Sequence, residues 1–384
     1  MVIPPSAMVE KFLRLSMAED IGPIVAKNLI DHFGSIDQVL GASPQALARA
    51  EGVGPKRAEG IRRAVRDDEA VERELGLAAE QGVRILCPLD GDYPLLLQRI
   101  HDPPLVLYLR GELLERDRLA IAVVGSRQCS TYGCEQAKRF GYALGQAGFT
   151  VISGMARGID AFAHIGALDA GGRTVAVLGN GLSQIYPREN KPLHDRICDS
   201  GAVVSELQMR FEPEAKNFLP RNRIIAGMAL GTVVVEAGQR SGSLSTANLT
   251  LQYNRELFAV PGRVDSNVST GTNKLIQEGA AKLVMDLGDI LDELGAVRDS
   301  VNAHVAELNG AAADEPPGQS PVGGNLSGEE RLVLEALSID GVRIDAIIEA
   351  TGLSPGKTTA TLTGLQLKSL IKQFPGNVFA KVVR

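Results

Sequence analysis

The stretch LAIAVVGSRQCSTYG (119–133) decides the fold: a near-continuous apolar run meets a glycine loop, and Ser130-Thr131 then opens a helical pattern. Strand, loop and helix start in that order are the opening of a parallel βα unit. Similar runs follow at TVISG (150–154), TVAVLG (174–179), AVVSE (202–206), GTVVVEA (231–237), ELFAVPG (256–262) and AAKLV (280–284), with amphipathic stretches between them. Seven such strands predict an α/β protein whose main domain, 84–296, is an extended Rossmann-like, doubly wound parallel sheet. Its first part, 84–112, is rich in proline and reads as an irregular, packed connection.

Outward from this sheet the periodicity changes. Residues 1–80 read as a small helical domain of the helix-hairpin-helix or SAM-like kind. In EGVGPKRAEGIRRA (51–64) a Gly-Val-Gly-Pro-Lys turn joins two helical stretches, and DIGPIVAKNLIDHFG (20–34) is a looser copy. Turn amides of this type can hold a DNA phosphate, although the same glycines serve a plain helical bundle. Residues 297–326 are rich in Ala, Gly, Pro and Ser and read as a flexible linker. The segment 327–384 then offers three helical stretches (326–337, 343–352 and 354–370) and a Pro-Gly hairpin (371–382), a winged-helix pattern.

Composition narrows the function classes. At 384 residues, with 44% hydrophobic and 22% charged, the chain is globular and multidomain. Its longest charge-free run, Phe140–Ala156, is 17 residues with four glycines, too short and too broken for a membrane span. The N-terminal MVIPPSAMVEKF has no secretory pattern. Cys87, Cys129, Cys134 and Cys198 form no CxxC pair, which points away from zinc or disulfide scaffolds and toward a reducing cytoplasm; they read as packing residues. Net charge is −6, yet residues 121–263 carry 15 Lys/Arg against 11 Asp/Glu, a local +4 that leaves −10 for the remainder. A weak basic field therefore coincides with the sheet.

Ligands of doubly wound sheets bind at the carboxyl ends of the strands. There the chain places Gly125-Ser126-Arg127, Ser153-Gly154 with Arg157-Gly158, and Gly179. Such glycines let backbone amides approach an anion, and arginine supplies forked donors for phosphate. In KNFLPRNR (216–223), Pro220 is expected to open a helix with Arg221, Asn222 and Arg223 in its first turn. There the helix dipole disfavours cations, so a bound anion would compensate. The bland alternative pairs these arginines with Glu206, Glu214 or Glu236. After Glu236, Ser241-Gly242-Ser243 offers hydroxyls at a further helix start. No G-x-G-x-x-G follows the first strand and no Walker lysine is present, so no cofactor is expected. His164, on the helix after Asp160, reads as a locally bonded helix residue rather than a general base.

The ordered set VVGSR (123–127), STYG (130–133), SGMARGIDAFAH (153–164), GGRTVAVLGNGL (171–182), YP (186–187), NFLPRNRIIAGM (217–228), VVVEA (233–237), SGSLSTA (241–247), LFAVPG (257–262) and GTNKLIQEGA (271–280) resembles the DNA-processing protein A family, also called DprA or Smf. The likeness is closest over about 90–285. It implies a cytoplasmic homodimer that binds single-stranded DNA without cutting it, protects it, and loads the RecA recombinase in natural transformation and recombination. It also implies that Arg127, Lys216, Arg221 and Arg223 form a positive pocket and that Phe218 receives a base. Two positions depart from the family pattern: Arg157 stands where a small residue is commoner, and Tyr253-Asn254 where a Gln/Glu-Gly turn is usual. Few stacked bases are expected, since aromatics are 4% of the chain and tryptophan is absent.

Two other classes compete. A phosphoribohydrolase-like enzyme on the same kind of sheet would use Glu236 as its acid, but its glycine-rich loop is missing and a Glu236–Arg240 ion pair is simpler. A winged-helix regulator of duplex DNA is disfavoured by the 7 basic and 6 acidic residues of 327–384.

Overall fold

The computed structural model describes residues 6–295, 328–338, 341–353, 357–358, 361–362, 365, 371–374 and 378–381. The expected linker, 297–326, lies wholly outside them, as does most of the helix expected at 354–370. Two compact units divide the chain, 1–310 and 311–384.

The first unit is built on a nine-stranded sheet. Strands β3 (Ala120–Val124), β4 (Thr150–Ser153), β5 (Thr174–Val177), β6 (Ala202–Ser205), β7 (Gly231–Val234), β8 (Glu256–Ala259) and β9 (Lys282–Leu283) are parallel, in the order β6-β5-β4-β3-β7-β8-β9. These are the seven strands expected from the apolar runs. Along β3 the side chains alternate between two cores: Ala120, Ala122 and Val124 enter one, Ile121 and Val123 the other. Burial on both faces is why the run is apolar throughout rather than alternating.

The stretch 84–112 is more regular than its prolines suggest. Arg84–Leu86 (β1) and Leu107–Gly111 (β2) add two antiparallel strands beyond β6, with Tyr108 opposite Ser205 and Ile85 opposite Tyr108. Prolines 88, 94, 103 and 104 sit between these strands, where no ladder donor is lost. Three to five residues of strand flanked by proline carry too little periodicity to read.

Helices α8 (Thr131–Gln146), α9 (Ile159–Asp169), α10 (Lys191–Ser200), α11 (Ala215–Met228) and α12 (Ser243–Gln252) connect successive strands. Asn254, after α12, takes a φ of 53°, the left-handed conformation that asparagine tolerates. Tyr253 beside it donates to Asp102 at 2.7 Å.

The expected N-terminal domain is a tandem of helical hairpins. Helix α1 (Ala7–Ser16) turns into α2 (Pro23–Phe33), α3 (Ile36–Gly41) follows, and α4 (Pro44–Leu47) turns into α5 (Pro55–Arg66), with α6 (Asp68–Glu80) before β1 and α7 (Leu95–Gln98) between β1 and β2. Each second helix starts with proline after a glycine cap, the arrangement whose fixed φ suits a first helical residue. This layer shares one hydrophobic core with a face of the sheet, and buried Glu74 accepts from the Met209 amide at 2.7 Å.

The second unit has helices Gly328–Ala336 and Ile344–Thr351 and a three-stranded antiparallel sheet in the order Val342–Arg343, Val378–Lys381, Ile371–Phe374. Val333, Leu337, Ile347, Ile371 and Phe379 form its core, as a winged helix requires. Among the described residues no helix is long and apolar enough to cross a membrane.

Candidate nucleic-acid interface

Strand order reverses beside β3, whose neighbours are β4 and β7. At such a switch point the loops leave the sheet in opposite directions and open a crevice. A cleft of about 780 Å³ lies there, walled by the loop after β3 (Gly125, Ser126, Arg127, Gln128), by α11 (Phe218, Leu219, Arg221, Asn222) and by the loop into α12 (Arg240, Ser241, Gly242, Ser243). Tyr186 and Asp160 complete it.

Close backbone approach shapes the floor. Gly158 has a φ of 76°, and a β-carbon there would strike the Ser126 carbonyl, so the loop after β4 can lie against the loop after β3. A side chain at Gly154 would occupy the space of the Arg221 guanidinium. Gly179 lies under the Phe218 ring. These glycines thus make room for Arg221 and Phe218 rather than lining the cleft themselves. Ser153 is buried and donates to the Val123 carbonyl at 2.6 Å, a bond within the sheet.

Pro220 does not open a helix. Helix α11 starts at Ala215 and carries Pro220 inside it. Its missing N–H costs one bond to the preceding turn, and Arg221, Asn222 and Arg223 consequently sit beyond the first turn, all buried. The expectation that a helix dipole strains these arginines falls with that placement; burial is what must be compensated.

The two arginines meet it differently. Arg223 pairs with Glu206 and Asp102 and donates to the Asp102 carbonyl, away from the cleft, so the bland alternative holds for it. Arg221 faces the cleft. It donates to the Val177 carbonyl, stands near Asp160, and leaves its buried Nε without a partner. Burial pushes its guanidinium down to about 10, against the pull of Asp160. Burial likewise holds the Asp160 carboxyl above the usual range, although Arg221 and the Gly154 amide oppose this. Asn222 donates to the Gly242 carbonyl at 3.3 Å and joins two walls.

Around this floor the other cations are exposed. Arg127 is exposed and lies over the Phe218 ring, 4.9 Å from its centre, on the ring that Tyr186 also approaches at 5.5 Å. Arg240 is exposed on the opposite wall. Arg157 pairs with Glu189 and borders a small side cavity with Arg127 and Phe218. Lys216 pairs with Glu214 and does not line the cleft.

Glu236 is committed elsewhere. Its buried carboxylate accepts the Ser130 amide at 2.8 Å and the Ser130 hydroxyl, tying down the start of α8; the expected pair with Arg240 is absent. His164 is fully buried, its Nδ1 lies 2.6 Å from the Thr174 hydroxyl on β5, and burial pushes it down to about 3. It bonds across to the sheet, not locally within its helix. Sequence reading overlooked Gln128, Tyr186 and Arg240 as lining residues; the YP pair at 186–187 was a visible signal for Tyr186.

Residues 84–295 match the family model described as DNA recombination-mediator protein A. The chain belongs to the DNA processing protein A family. The DprA winged helix domain matches 312–377 and the SAM-like helix-hairpin-helix tandem 12–67. Protein Smf of Synechocystis is 33% identical over 95% of this chain and 96% of its own length. DprA of Streptococcus pneumoniae is 42% identical over 53% of this chain and 72% of its own. The X-ray structure of the pneumococcal protein superposes with a TM-score of 0.65 at 34% identity, covering 74% of this chain and 97% of that one. DprA of Helicobacter pylori, described for its single-stranded DNA binding mode, gives a TM-score of 0.50 at 29% identity over 55% of this chain and 95% of that one.

Proposed function

We propose that this DprA/Smf protein binds single-stranded DNA at the switch-point cleft without cutting it. The observation that carries this reading is Arg221: a buried guanidinium with an unsatisfied donor on the floor of a cleft that Arg127 and Arg240 border. An unpaired buried donor calls for an acceptor, and a phosphate or a base edge supplies one. Phe218 and Tyr186 beside it offer a flat surface to a base. The single-strand binding described for the Helicobacter relative supports the same class of ligand. Hydrolysis is disfavoured because the acid and base candidates, Glu236 and His164, are consumed in structural bonds. Protection of the strand and its delivery to RecA follow as the family's role.

The test replaces exposed cations, which perturb no core. Arg127→Ala and Arg240→Ala, titrated with a single-stranded oligonucleotide at several salt concentrations, should each weaken binding to all sequences alike. Each phosphate contact removed should flatten the salt slope by about 0.7. Duplex of equal length should bind more weakly. A double variant that binds as the parent does would place the DNA site elsewhere.

We also propose that the chain dimerises through the β9 edge. Of the apolar residues there, Leu275 and Val284 belong to the core, whereas Leu283 and Met285 are exposed. Replacing both exposed residues by glutamate should convert a dimer to a monomer in light scattering; a variant that stays dimeric would move the interface off this edge.

A further inference from the structure

Two cysteines far from any CxxC spacing meet in the fold. Cys129 ends the loop after β3, Cys134 lies at the start of α8, and their sulfurs are 2.7 Å apart, both half-buried. A disulfide needs about 2.05 Å, so closure asks for a shift of roughly 0.7 Å. The helix side is held. Ser130 caps α8 by accepting the Gly133 amide at 3.0 Å, and its own amide and hydroxyl donate to Glu236. At the other end of the loop the Ser126 amide donates to the Glu236 carbonyl at 2.7 Å. Between these two anchors lie Arg127, Gln128 and Cys129, with the Gln128 amide donating to the Ser126 hydroxyl at 3.1 Å, and the first two line the cleft.

We propose that Cys129 and Cys134 are a dithiol whose closure by excess hydroperoxide stiffens the Arg127 loop and weakens the cleft's hold on single-stranded DNA. The effect on DNA rests on the reading of the cleft given above; the closure itself does not. One sulfur, as thiolate, attacks a peroxide oxygen, the O–O bond breaks, and the departing oxygen takes up that thiol's proton. The second sulfur attacks the sulfenic sulfur so formed, the S–O bond breaks, and the hydroxyl leaves as water with the second proton. Two thiols are oxidised and one peroxide bond is reduced. Burial, with Cys134 alongside, pushes the Cys129 thiol up to about 12, so closure needs peroxide in excess.

The experiment treats the full chain with hydrogen peroxide, reads intact mass and mapped peptides, and titrates a single-stranded oligonucleotide before and after. The parent should lose two hydrogens within one chain, link 129 to 134, and bind DNA several-fold more weakly until dithiothreitol restores it. Cys129→Ser and Cys134→Ser should bind as the reduced parent does and ignore peroxide. Oxygen addition at these sulfurs in place of the link, a link between chains, or a link that leaves affinity unchanged would each overturn the proposal. If instead the reduced Arg127→Ala/Arg240→Ala protein binds like the parent, the cleft reading fails and takes the DNA effect with it, while the mass measurement still decides the closure.

Discussion

Replacing Arg221 by alanine should cost the protein about 3–5 kcal/mol of stability, because it removes the cation that most strongly offsets the burial of Asp160. The loss should depend on pH in an unusual direction. Asp160 already titrates above its ordinary range in the folded protein, so the native state keeps a proton that the unfolded chain has released. That contribution is present at low pH and is lost as pH rises from the ordinary carboxylate value through the raised folded value. Removing Arg221 raises the folded value further. The variant should therefore lose more stability than the parent as pH rises above the ordinary carboxylate value of about 4, as urea melts at several pH values would show. Adding Asp160→Asn should abolish the difference. Equal pH dependence in parent and variant would mean that Arg221 does not govern the Asp160 charge. One consequence follows for binding studies: Arg221 is a poor first target, since its loss perturbs the fold as well as the cleft.

Phe218→Ala should weaken single-stranded DNA binding by roughly 1–3 kcal/mol, about 5- to 150-fold, the worth of one stacked base. In the free protein Arg127 occupies the ring. A base must therefore displace the guanidinium or stack beyond it, and the displaced arginine is then free to meet a phosphate. Phe218→Tyr, which keeps the ring, should bind nearly as the parent does. Salt dependence should stay unchanged in both, because no charge is removed. A Phe218→Ala protein of parental affinity would show that the base sits against another wall, for which Leu219, exposed on the same helix, is the nearest apolar candidate.

Much of this architecture is legible in the chain. Parallel strands buried on both faces write themselves as apolar runs, so β3 to β9 could be placed to within three residues at either end, and the glycine loops after them mark the ligand edge. The hairpin tandem is visible because Gly22-Pro23 and Gly54-Pro55 are local signals. β1 and β2 were not visible, because their short runs gain strand geometry only by pairing with β6 and with each other.

The division of labour among the charged residues is of another kind. The sequence by itself determines the sheet, its order of loops and the presence of arginines near its carboxyl edge, since these follow from local periodicity and turn chemistry. Arg221 and Arg223 are two residues apart and identical in type, yet one faces the cleft and the other is neutralised by Glu206 and Asp102. Only the tertiary structure decides that, because the partners arrive from strands and loops as far as 121 residues away. The same holds for Glu236, claimed by Ser130 from 106 residues away, and for the sulfurs of Cys129 and Cys134, which a loop and a helix turn bring together. Local pattern sets where the backbone goes; which side chain keeps an unmet donor depends on what packs against it through space.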